Sequence, residues 1–181
     1  DAFGEFLRDT LKQQGIDTRG LIMSKEANTT LAFVHLGESG ERSFSFYRNP
    51  GADMLLNENE LDDEILKNSA VFHFGSVSMT KEPARRATLK AAERAKALGK
   101  TISYDPNLRP PLWDSLEEAR EIMSQGLPYA DILKISEEEL EFLTDHKDPE
   151  TGSRLLYDKY NTPVILVTLG ADGCFYHSGE N

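Results

Sequence analysis

The sequence predicts an α/β fold with a mostly parallel sheet, and three observations support this prediction. Downstream of residue 70, short apolar runs alternate with longer runs of helical periodicity. Such alternation is typical of right-handed βαβ units, and we expect helices on both faces of the sheet. Upstream of residue 70, two strand-like runs flank a short glycine-containing segment. The length of 181 residues fits one domain with a sizeable core.

A helix is predicted at the beginning of the chain. Asp1 is a plausible N-cap and Gly15 a plausible stop, and the apolar stripe between them consists of Phe3, Phe6, Leu7 and Leu11. Since a helix cap stands at the first residue with no initiating methionine, we expect the chain to lack its natural beginning. The last residues, CFYHSGEN, stop at a turn signal after a strand-like run, so we expect the natural end to be missing as well.

A β-hairpin is predicted between the first helix and residue 70, in the stretch LAFVHLGESGERSFSFYR. Polar and apolar residues alternate over residues 43–47, which gives the strand one apolar and one polar face. The segment GESGE between the two runs predicts a short loop that contains glycine. We expect residues 28–48 to form a β-lid, and residues 1–27 and 49–181 to form the α/β core.

The remaining elements alternate regularly along the chain. The predicted strands span residues 70–74, 101–104, 131–135, 164–169 and 174–177. The predicted helices span residues 80–98, 115–125, 136–144 and 149–160. Gly99 ends the first of these helices, and the β-branched run that begins at Val164 indicates a buried strand.

Composition and charge argue against several classes of function. The net charge of −11 and the isoelectric point near 4.8 disfavour binding to nucleic acids and to anionic membranes. We therefore expect neither nucleic acid nor a membrane as a partner. No apolar run approaches the length of a membrane span. Cys174 is the only cysteine, which excludes an internal disulfide and favours a reducing, cytoplasmic location.

Polar residues follow the predicted strand 101–104, at the sheet edge where open α/β sheets bind ligands. Pro110 and Pro111 keep Asn107 and Arg109 at the rim of the sheet and out of a helix. Two roles remain open for Arg109. It could form an ordinary surface ion pair, which contributes little stability, or its planar guanidinium could bind a phosphate or a sugar hydroxyl.

Two further strand ends carry candidate residues, again with two roles each. Ser136 and Glu139 have the spacing of a capping box, and a glutamate there could also reach a metal ion bound to phosphate. Gly170 and Gly173 follow the strand 164–169. Their access to positive φ suits a tight hairpin and a close approach of the backbone to a ligand equally well.

Several segments together carry a resemblance to a known family. In chain order they are DAFGEFL, TLAFVHL with GERSFSFYR, VFHFGSVS, ISYDPNLRPPLW, ADILKISEEELEFLT and VTLGADG. The sequence resembles the ribokinase-like (PfkB) carbohydrate kinases, and most of all their fructokinase branch. The resemblance implies a ribokinase-like, doubly wound, mostly parallel sheet with a small β-lid over the sugar. It also implies ATP-dependent phosphorylation of fructose to fructose 6-phosphate, with the sugar and ATP as small-molecule partners and with ATP, Mg²⁺ and a monovalent cation (K⁺) as cofactors. Because an exposed β-edge is usually covered, we also expect a homodimer that forms through the lid.

The resemblance assigns roles to individual residues. It puts Tyr47, Arg48, Asn107 and Arg109 at the sugar, with Arg109 near the transferring phosphate. It assigns the nucleotide to Ser136, Thr168, Leu169, Gly170, Ala171, Asp172 and Gly173. Glu139 matches the acid of the family's Asn-x-x-Glu motif, which influences magnesium through water or phosphate, and Ser136 stands where that motif has its asparagine.

Two motifs of the family fall outside the sequence. The resemblance puts a sugar-binding motif before Asp1 and the motif with the catalytic base after Asn181, so we assign no residue of the chain as the base. We therefore expect the 181-residue chain alone to be inactive. Ala32 is small where kinases of acid sugars carry a tyrosine, which favours a neutral hexose over 2-keto-3-deoxygluconate. A kinase for ribose or another sugar, and a catalytically silent binding or assembly module, remain alternatives.

Overall fold

The computed structural model of the protein describes residues 1–37 and 42–179, and it begins with a helix. Helix α1 spans Ala2–Gln13, and the Asp1 carboxylate caps it by accepting a hydrogen bond from the amide of Gly4 at 2.8 Å. Gly15 follows the helix with a φ of 75°, the left-handed conformation of a stop residue. The predicted cap and stop are confirmed, while the apolar stripe of α1 lies largely exposed.

A two-stranded antiparallel hairpin follows, as predicted. Strand β1 spans Leu31–Leu36 and β2 spans Arg42–Tyr47, with Val34 opposite Phe44 and Phe33 opposite Ser45. Because directly paired residues share a face, Phe44 and Phe33 lie on opposite faces of the hairpin. The predicted loop lies, apart from Gly37, outside the described residues. The limits of the lid as a unit, residues 28–48, stay a prediction.

The main sheet has five strands in the described residues, in the order β3-β4-β5-β6-β7. They are β3 (Val71–Gly75), β4 (Thr101–Asp105), β5 (Ile132–Ser136), β6 (Val164–Thr168) and β7 (Cys174–Ser178). Strands β3 to β6 pair in parallel, and β7 pairs antiparallel with β6. The predicted mostly parallel sheet is confirmed, with each predicted strand limit within one residue of the observed one.

The helices after the hairpin are α2 (Asp63–Asn68), α3 (Ala84–Ala97), α4 (Leu116–Gly126), α5 (Glu137–Thr144) and α6 (Pro149–Tyr160). The sequence analysis missed α2, whose 6 residues are too few to show helical periodicity. It also predicted that α3 begins at Thr80, whereas the helix begins at Ala84. Pro83 explains the later start, because a proline disfavours helical backbone at the residue before it. Within residues 1–37 and 42–179, no helix combines the length and apolarity needed to cross a membrane.

One face of the main sheet is packed by helices α3 to α6. Tyr104, Leu133 and Ile165 point to this face from neighbouring strands and are fully buried. The Tyr104 hydroxyl donates a hydrogen bond to the carbonyl of Met123 in α4 at 3.0 Å. Burial raises the pKa of this hydroxyl far above its usual value, so Tyr104 remains a neutral donor.

The opposite face of the main sheet is more open in the described residues. Val71 and Tyr176 are 51% and 57% exposed there. The sequence predicts helices on both faces, whereas α3 to α6 all lie on the same one. The strand order explains this, because right-handed crossovers that always advance to the next strand in one direction leave their helices on one side.

Candidate active site

The carboxyl ends of the parallel strands form one edge of the main sheet. β3, β4, β5 and β6 end at Gly75, Asp105, Ser136 and Thr168. Since neighbouring strands lie about 4.8 Å apart, this edge is about 14 Å long from β3 to β6. Predicted site residues follow the ends of β4, β5 and β6, and the base of the lid contacts the segment after β3. The structure thus brings all the predicted segments to one edge.

Arg109 lies at this edge, in the loop after β4. Its Nη1 atom donates to the carbonyl of Leu108 at 3.0 Å, and its guanidinium carbon lies 5.6 Å from the centre of the Phe44 ring in the lid. A guanidinium at this distance over an aromatic ring forms a cation–π contact. No carboxylate of the described residues forms an ion pair with Arg109, so the surface ion pair that the sequence left open is not formed in this part of the protein.

Asn107 precedes Arg109 in the same loop. It is exposed and has a φ of 53°, a left-handed conformation that asparagine adopts more readily than most residues. On the β3 side, Ser76 donates from its amide and its hydroxyl to the carbonyl of Pro106, at 3.0 and 2.6 Å. These contacts fix the beginning of the loop against the neighbouring strand end.

Glu139 connects this loop to the next strand end. Its side chain caps α5, since the Glu139 carboxylate accepts from the Ser136 amide at 2.9 Å and the Ser136 hydroxyl accepts from the Glu139 amide at 3.2 Å. The predicted capping box is confirmed. The other carboxylate oxygen accepts from the amide of Leu108 at 2.5 Å, and Glu139 is only 7% exposed. The contact between Leu108 and Glu139 joins the loop after β4 to the end of β5, and no pattern in the sequence predicts it.

Arg48 joins the base of the lid to the main sheet, and its side chain is 6% exposed. Its Nε donates to Asp53 at 2.7 Å. Its Nη1 donates to the Thr80 hydroxyl at 2.7 Å, and its Nη2 donates to the Val77 carbonyl at 2.9 Å. Asp53 also accepts a hydrogen bond from the Thr30 hydroxyl. The guanidinium that the sequence analysis assigns to the sugar is therefore occupied by contacts within the protein.

Tyr47 is open to solvent, in contrast to Arg48. It is 69% exposed, and its ring packs edge-on against Phe33 with 5.5 Å between the ring centres. Since Tyr47 pairs with Leu31, it shares a face with Phe33. It thus lies on the hairpin face opposite the one from which Phe44 contacts Arg109. Its contact with a sugar stays a prediction.

The turn after β6 carries the residues assigned to the nucleotide. Thr168 donates from its hydroxyl to the carbonyl of Ile135 at 3.3 Å, and the Leu169 amide donates to the Gly173 carbonyl at 2.9 Å. Gly170 and Gly173 have φ values of 59° and 104°, with no atom near the position of an added Cβ. The turn therefore closes a tight hairpin and also leaves open space against its backbone.

Sequence reasoning missed some residues at this edge. Asp105 ends β4, with Oδ2 3.2 Å from the Lys134 ammonium and Oδ1 buried without a hydrogen-bond partner in the described residues. Phe44 contacts Arg109, and the Leu108 amide contacts Glu139. The alternation of residues 43–47 predicts that Phe44 lies on the apolar face of its strand. The contacts of Phe44 with Arg109 and of Leu108 with Glu139 join segments that are distant in the sequence, so no local pattern predicts them.

A comparison with known families decides to which family the chain belongs. The profile described as pfkB family carbohydrate kinase matches residues 1–181. The chain belongs to the pfkB family of carbohydrate kinases. The family resemblance stated from the sequence is therefore confirmed.

Individual relatives of this pfkB family chain are fructokinases. It is 49% identical over 182 residues to "Probable fructokinase-2" of Arabidopsis thaliana, an alignment that covers 99% of this chain and 55% of that protein. The structure of fructokinase with bound ATP from Xylella fastidiosa matches with a TM-score of 0.90 and 36% identity over 100% of this chain and 57% of that one. Fructokinase from Vibrio cholerae O395 in its fructose-, ADP- and calcium-bound form matches with a TM-score of 0.89 and 32% identity over 100% of this chain and 58% of that one. The chain spans a little over half the length of these relatives.

The described residues of this pfkB family chain do not form a metal site by themselves. No three of their histidine, cysteine, aspartate and glutamate side chains lie close enough together to hold a metal ion. Glu139 already accepts a backbone hydrogen bond on each carboxylate oxygen. A divalent cation at this edge would therefore depend on other ligands, such as phosphate oxygens and water.

A cavity of about 680 Å³ lies elsewhere in the chain. It is lined by α1 and by residues of the segments 20–30 and 52–60. Asp53 and Thr30, at the base of the lid, contribute to its wall, but the loops after β4, β5 and β6 do not. The strand-end edge is thus distinct from this cavity.

Proposed function

We propose that this chain is part of an ATP-dependent kinase that phosphorylates fructose to fructose 6-phosphate. The observation that carries the proposal is the order of segments along one sheet edge. An apolar lid meets Arg109 toward the β3 and β4 end, and an open glycine turn lies at the β6 and β7 end. Such an order suits a sugar and a nucleotide bound end to end, with Arg109 between them. The similarity to fructokinases supports fructose as the sugar.

The sugar end of the proposed site lies under the lid. We assign Asn107, Arg109 and Tyr47 to sugar contacts, and we assign Arg48 to holding the lid base in place. Ala32 pairs with Phe46, on the hairpin face that also carries Phe44. A face of aromatic and small apolar side chains with one arginine beside it suits a neutral polyol better than a sugar acid.

The nucleotide end of the proposed site is the turn after β6. We assign it to Thr168, Leu169, Gly170, Ala171, Asp172 and Gly173, with Ser136 at the neighbouring strand end. The space against Gly170 and Gly173 would let a nucleotide approach the backbone closely. The Ser136 hydroxyl accepts the bond that caps α5, so its contact with a nucleotide would use the remaining capacity of that hydroxyl.

The chemistry that this edge can supply is charge stabilisation. Phosphoryl transfer is catalysed mainly by positioning and by cationic or amide donors around the phosphate. We propose that Arg109 binds oxygens of the transferring phosphate. ATP with Mg²⁺ would supply the phosphoryl group, and K⁺ would be the monovalent cation. We assign no residue of the chain as the base that takes the proton from the sugar hydroxyl.

A coupled kinase assay on the full-length product of the gene tests this function. The assay contains ATP, magnesium and one of fructose, ribose, 2-keto-3-deoxygluconate or a nucleoside. We expect ADP release that depends on fructose. Turnover of another substrate would keep the kinase chemistry and refute fructose. Silence with every substrate would favour a binding or assembly module over an enzyme.

The 181-residue chain by itself is the matched comparison for that assay. We expect no turnover from it, because the proposal assigns the base to the longer protein. Fructose-dependent ADP release by this chain alone would contradict that assignment.

We also propose a homodimer that forms through the lid. The hairpin exposes apolar side chains on both faces, among them Phe33, Leu36 and Tyr47. Exposed aromatic clusters of this kind are typical of interfaces. Light scattering of the full-length protein should give the mass of a dimer, and Phe33→Glu should shift it toward the monomer. A monomeric wild type would refute the dimer.

A cytoplasmic location is the last part of the proposal. The sole cysteine, Cys174, is free and exposed, which suits a reducing compartment. Fractionation of cells that express the untagged protein should recover it with cytoplasmic markers. Recovery with an organelle would contradict this location.

A further inference from the structure

A turn of the chain lies between the lid base and the loop that carries Arg109. This turn after β3 spans residues 76–80 and contains a single helical turn, Val77–Met79. Ser76 and Thr80, at its two ends, are 0% and 1% exposed. None of the roles proposed for the sugar and the nucleotide involves this turn, so its buried hydroxyl groups need another explanation.

The lid base is bonded to the far end of the turn after β3. Arg48 donates from Nη1 to the Thr80 hydroxyl at 2.7 Å and from Nη2 to the Val77 carbonyl at 2.9 Å. The Thr80 hydroxyl itself donates to the Val77 carbonyl at 2.8 Å. From the other side, Arg85 of α3 donates to the carbonyls of Met79 and Thr80 at 2.7 and 3.0 Å. The turn is therefore held between an arginine of the lid base and an arginine of the helix layer.

The near end of the turn is bonded to the loop after β4. The Ser76 amide donates to the Pro106 carbonyl at 3.0 Å and continues the pairing of β3 with β4, and the Ser76 hydroxyl donates to the same carbonyl at 2.6 Å. The two strand ends also pack closely, since a Cβ added at Gly75 would lie 2.9 Å from the carbonyl oxygen of Asp105. Closely packed segments have little free space, so a shift of the turn is passed on to the loop that carries Arg109.

These contacts form a closed circuit between the lid and the sheet edge. Arg48 joins the lid base to the turn, and Ser76 joins the turn to the loop after β4. Arg109 in that loop then returns to the lid, where its guanidinium carbon lies 5.6 Å from the centre of the Phe44 ring. The Arg109 guanidinium is thus positioned from two sides, by the ring of Phe44 and by the turn after β3.

We infer that the turn after β3 is a positioning element that couples the position of the lid to that of Arg109, with Thr80 and Ser76 as its connecting residues. The inference rests on the proposed kinase function, in which the lid covers the sugar and Arg109 binds the transferring phosphate. The turn touches neither substrate in this account. A sugar that orders the lid would therefore also fix the arginine that acts on the phosphate.

Steady-state kinetics of Ser76→Ala in the full-length protein test the near end of the turn. Alanine removes the hydroxyl bond to Pro106 and keeps the amide bond. We expect kcat to fall by about 10-fold, as misplacement of a binding group does, with an unchanged KM for ATP, because the turn after β6 is not affected.

The matched control for Ser76→Ala is Ser153→Ala in α6. Ser153 is equally buried, and its hydroxyl donates to the Pro149 carbonyl at the same distance of 2.6 Å. We expect the two variants to lose similar thermal stability, while Ser153→Ala keeps kcat within about twofold of wild type. Equal losses of kcat in the two variants would reduce Ser76 to a structural residue and overturn the inference.

Thr80→Val and Thr80→Ser test the far end of the turn. Valine has nearly the same shape as threonine but leaves Nη1 of Arg48 without this acceptor, whereas serine keeps the hydroxyl. We expect kcat to fall by about 10-fold in Thr80→Val and to stay within about twofold of wild type in Thr80→Ser. Thr80→Val combined with Ser76→Ala should lose little more than either alone, because both interrupt the same connection. Losses that multiply in the double variant would contradict a shared connection.

Amide hydrogen exchange at Leu108 tests the same inference without any activity. The Leu108 amide is a suitable reporter because it forms a hydrogen bond within the loop after β4. In the ligand-free full-length protein, Thr80→Val should speed exchange at Leu108, although Thr80 lies at the other end of the turn, and Ser153→Ala should leave it unchanged.

The exchange measurement separates this inference from the proposed function. Unchanged exchange at Leu108 in Thr80→Val would overturn the inference whether or not the protein phosphorylates fructose. Faster exchange in Thr80→Val of a protein that phosphorylates no sugar would instead overturn the proposed function and support the turn as a connection between the lid and the loop.

Discussion

Two arginines at the rim of the main sheet, Arg48 and Arg109, have contrasting surroundings. Arg48 follows β2, is 6% exposed and donates to Asp53, Thr80 and Val77. Arg109 follows β4, and its contacts in the described residues are the adjacent Leu108 carbonyl and the Phe44 ring. A guanidinium has five N–H donors. Arg48 uses most of them within the protein, whereas Arg109 uses one of them within the described residues.

The contrast teaches that the role of a rim arginine depends on the segments that reach it. Thr80 and Val77 lie 32 and 29 residues from Arg48 in the sequence, so no local pattern reveals these contacts. A buried guanidinium needs such partners, because removing a charge from water is costly. Arg48 therefore joins the lid base to the sheet, and the phosphate-binding role that we propose falls to Arg109. The predictions below test this division of roles.

The largest effect is expected for Arg109→Ala in the full-length protein. Loss of a group that stabilises the transferring phosphate should lower kcat/KM for fructose by about 100-fold or more. The thermal midpoint should stay close to that of wild type, since Arg109 makes few contacts in the described residues. Arg86→Ala, at an exposed position on α3, is the matched control and should leave both quantities unchanged. An unchanged kcat with an unchanged KM in Arg109→Ala would refute the role.

Arg48→Ala should affect stability first. It removes the donors that join the lid base to Val77, Thr80 and Asp53, and it should lower the free energy of unfolding in urea by about 2 kcal/mol. The KM for fructose should rise, because the lid loses its attachment. Arg48→Lys keeps the charge beside Asp53 without the planar fork and should fall between alanine and wild type. An Arg48→Ala protein that is as stable as wild type and loses as much kcat as Arg109→Ala would contradict the division of roles between the two arginines.

Phe44→Leu tests the contact between the lid and Arg109. Leucine keeps the apolar bulk and removes the aromatic face, so the loss should match a partly exposed cation–π contact of about 0.5–1 kcal/mol. That corresponds to a decrease of roughly two- to fivefold in kcat/KM. Phe44→Tyr keeps the ring and should restore the wild-type value. Equal kinetics for the leucine and tyrosine variants would show that the ring does not support Arg109.

The smallest effect is expected at Asp145, which lies far from both arginines in the sequence and caps the end of α5. The Arg120 guanidinium, which donates to both oxygens of Asp145, holds the pKa of that carboxyl below its usual range. Because the pKa is lower in the folded state than in the unfolded state, where it is about 3.9, the pair stabilises the fold above that pH and is lost on further acidification. Asp145→Asn keeps a residue that tolerates the left-handed φ of 60°.

The measurement for Asp145→Asn is the thermal midpoint between pH 7 and pH 3. The variant should be slightly less stable than wild type at pH 7, and its midpoint should fall less on acidification. Asp158→Asn, at an exposed position on α6, is the control and should follow the wild-type curve. A wild type and an Asp145→Asn variant with parallel curves over this range would exclude a contribution from the Arg120 pair.

Much of the fold was predictable because its signals are local. Apolar runs and glycine stops gave the strands of the main sheet and most helices, and alternation gave the hairpin. The helix α2 was missed because it is short. The helix α3 begins later than predicted because Pro83 disfavours helical backbone at the residue before it. The placement of α3 to α6 on one face depended on strand order, which no local pattern reveals.

The candidate site was predictable in its residues but not in their contacts. The strand-end positions of Asn107, Arg109 and Glu139 follow from the fold class and the family resemblance. The burial of Arg48 and the bond from Leu108 to Glu139 join segments about 30 residues apart, and three-dimensional packing decides them. The family resemblance therefore assigned both Arg48 and Arg109 to the sugar. The structure shows that the two arginines have different surroundings.

Amide hydrogen exchange of the full-length protein tests most directly whether sugar and nucleotide bind end to end along this edge. The protein would be measured without ligand, with fructose alone and with ADP alone. Fructose should slow exchange in β2 and in the loop of residues 107–109, and ADP should slow exchange at residues 168–173. Protection of the lid strands by ADP, or no protection of either strand-end loop by either ligand, would contradict the account.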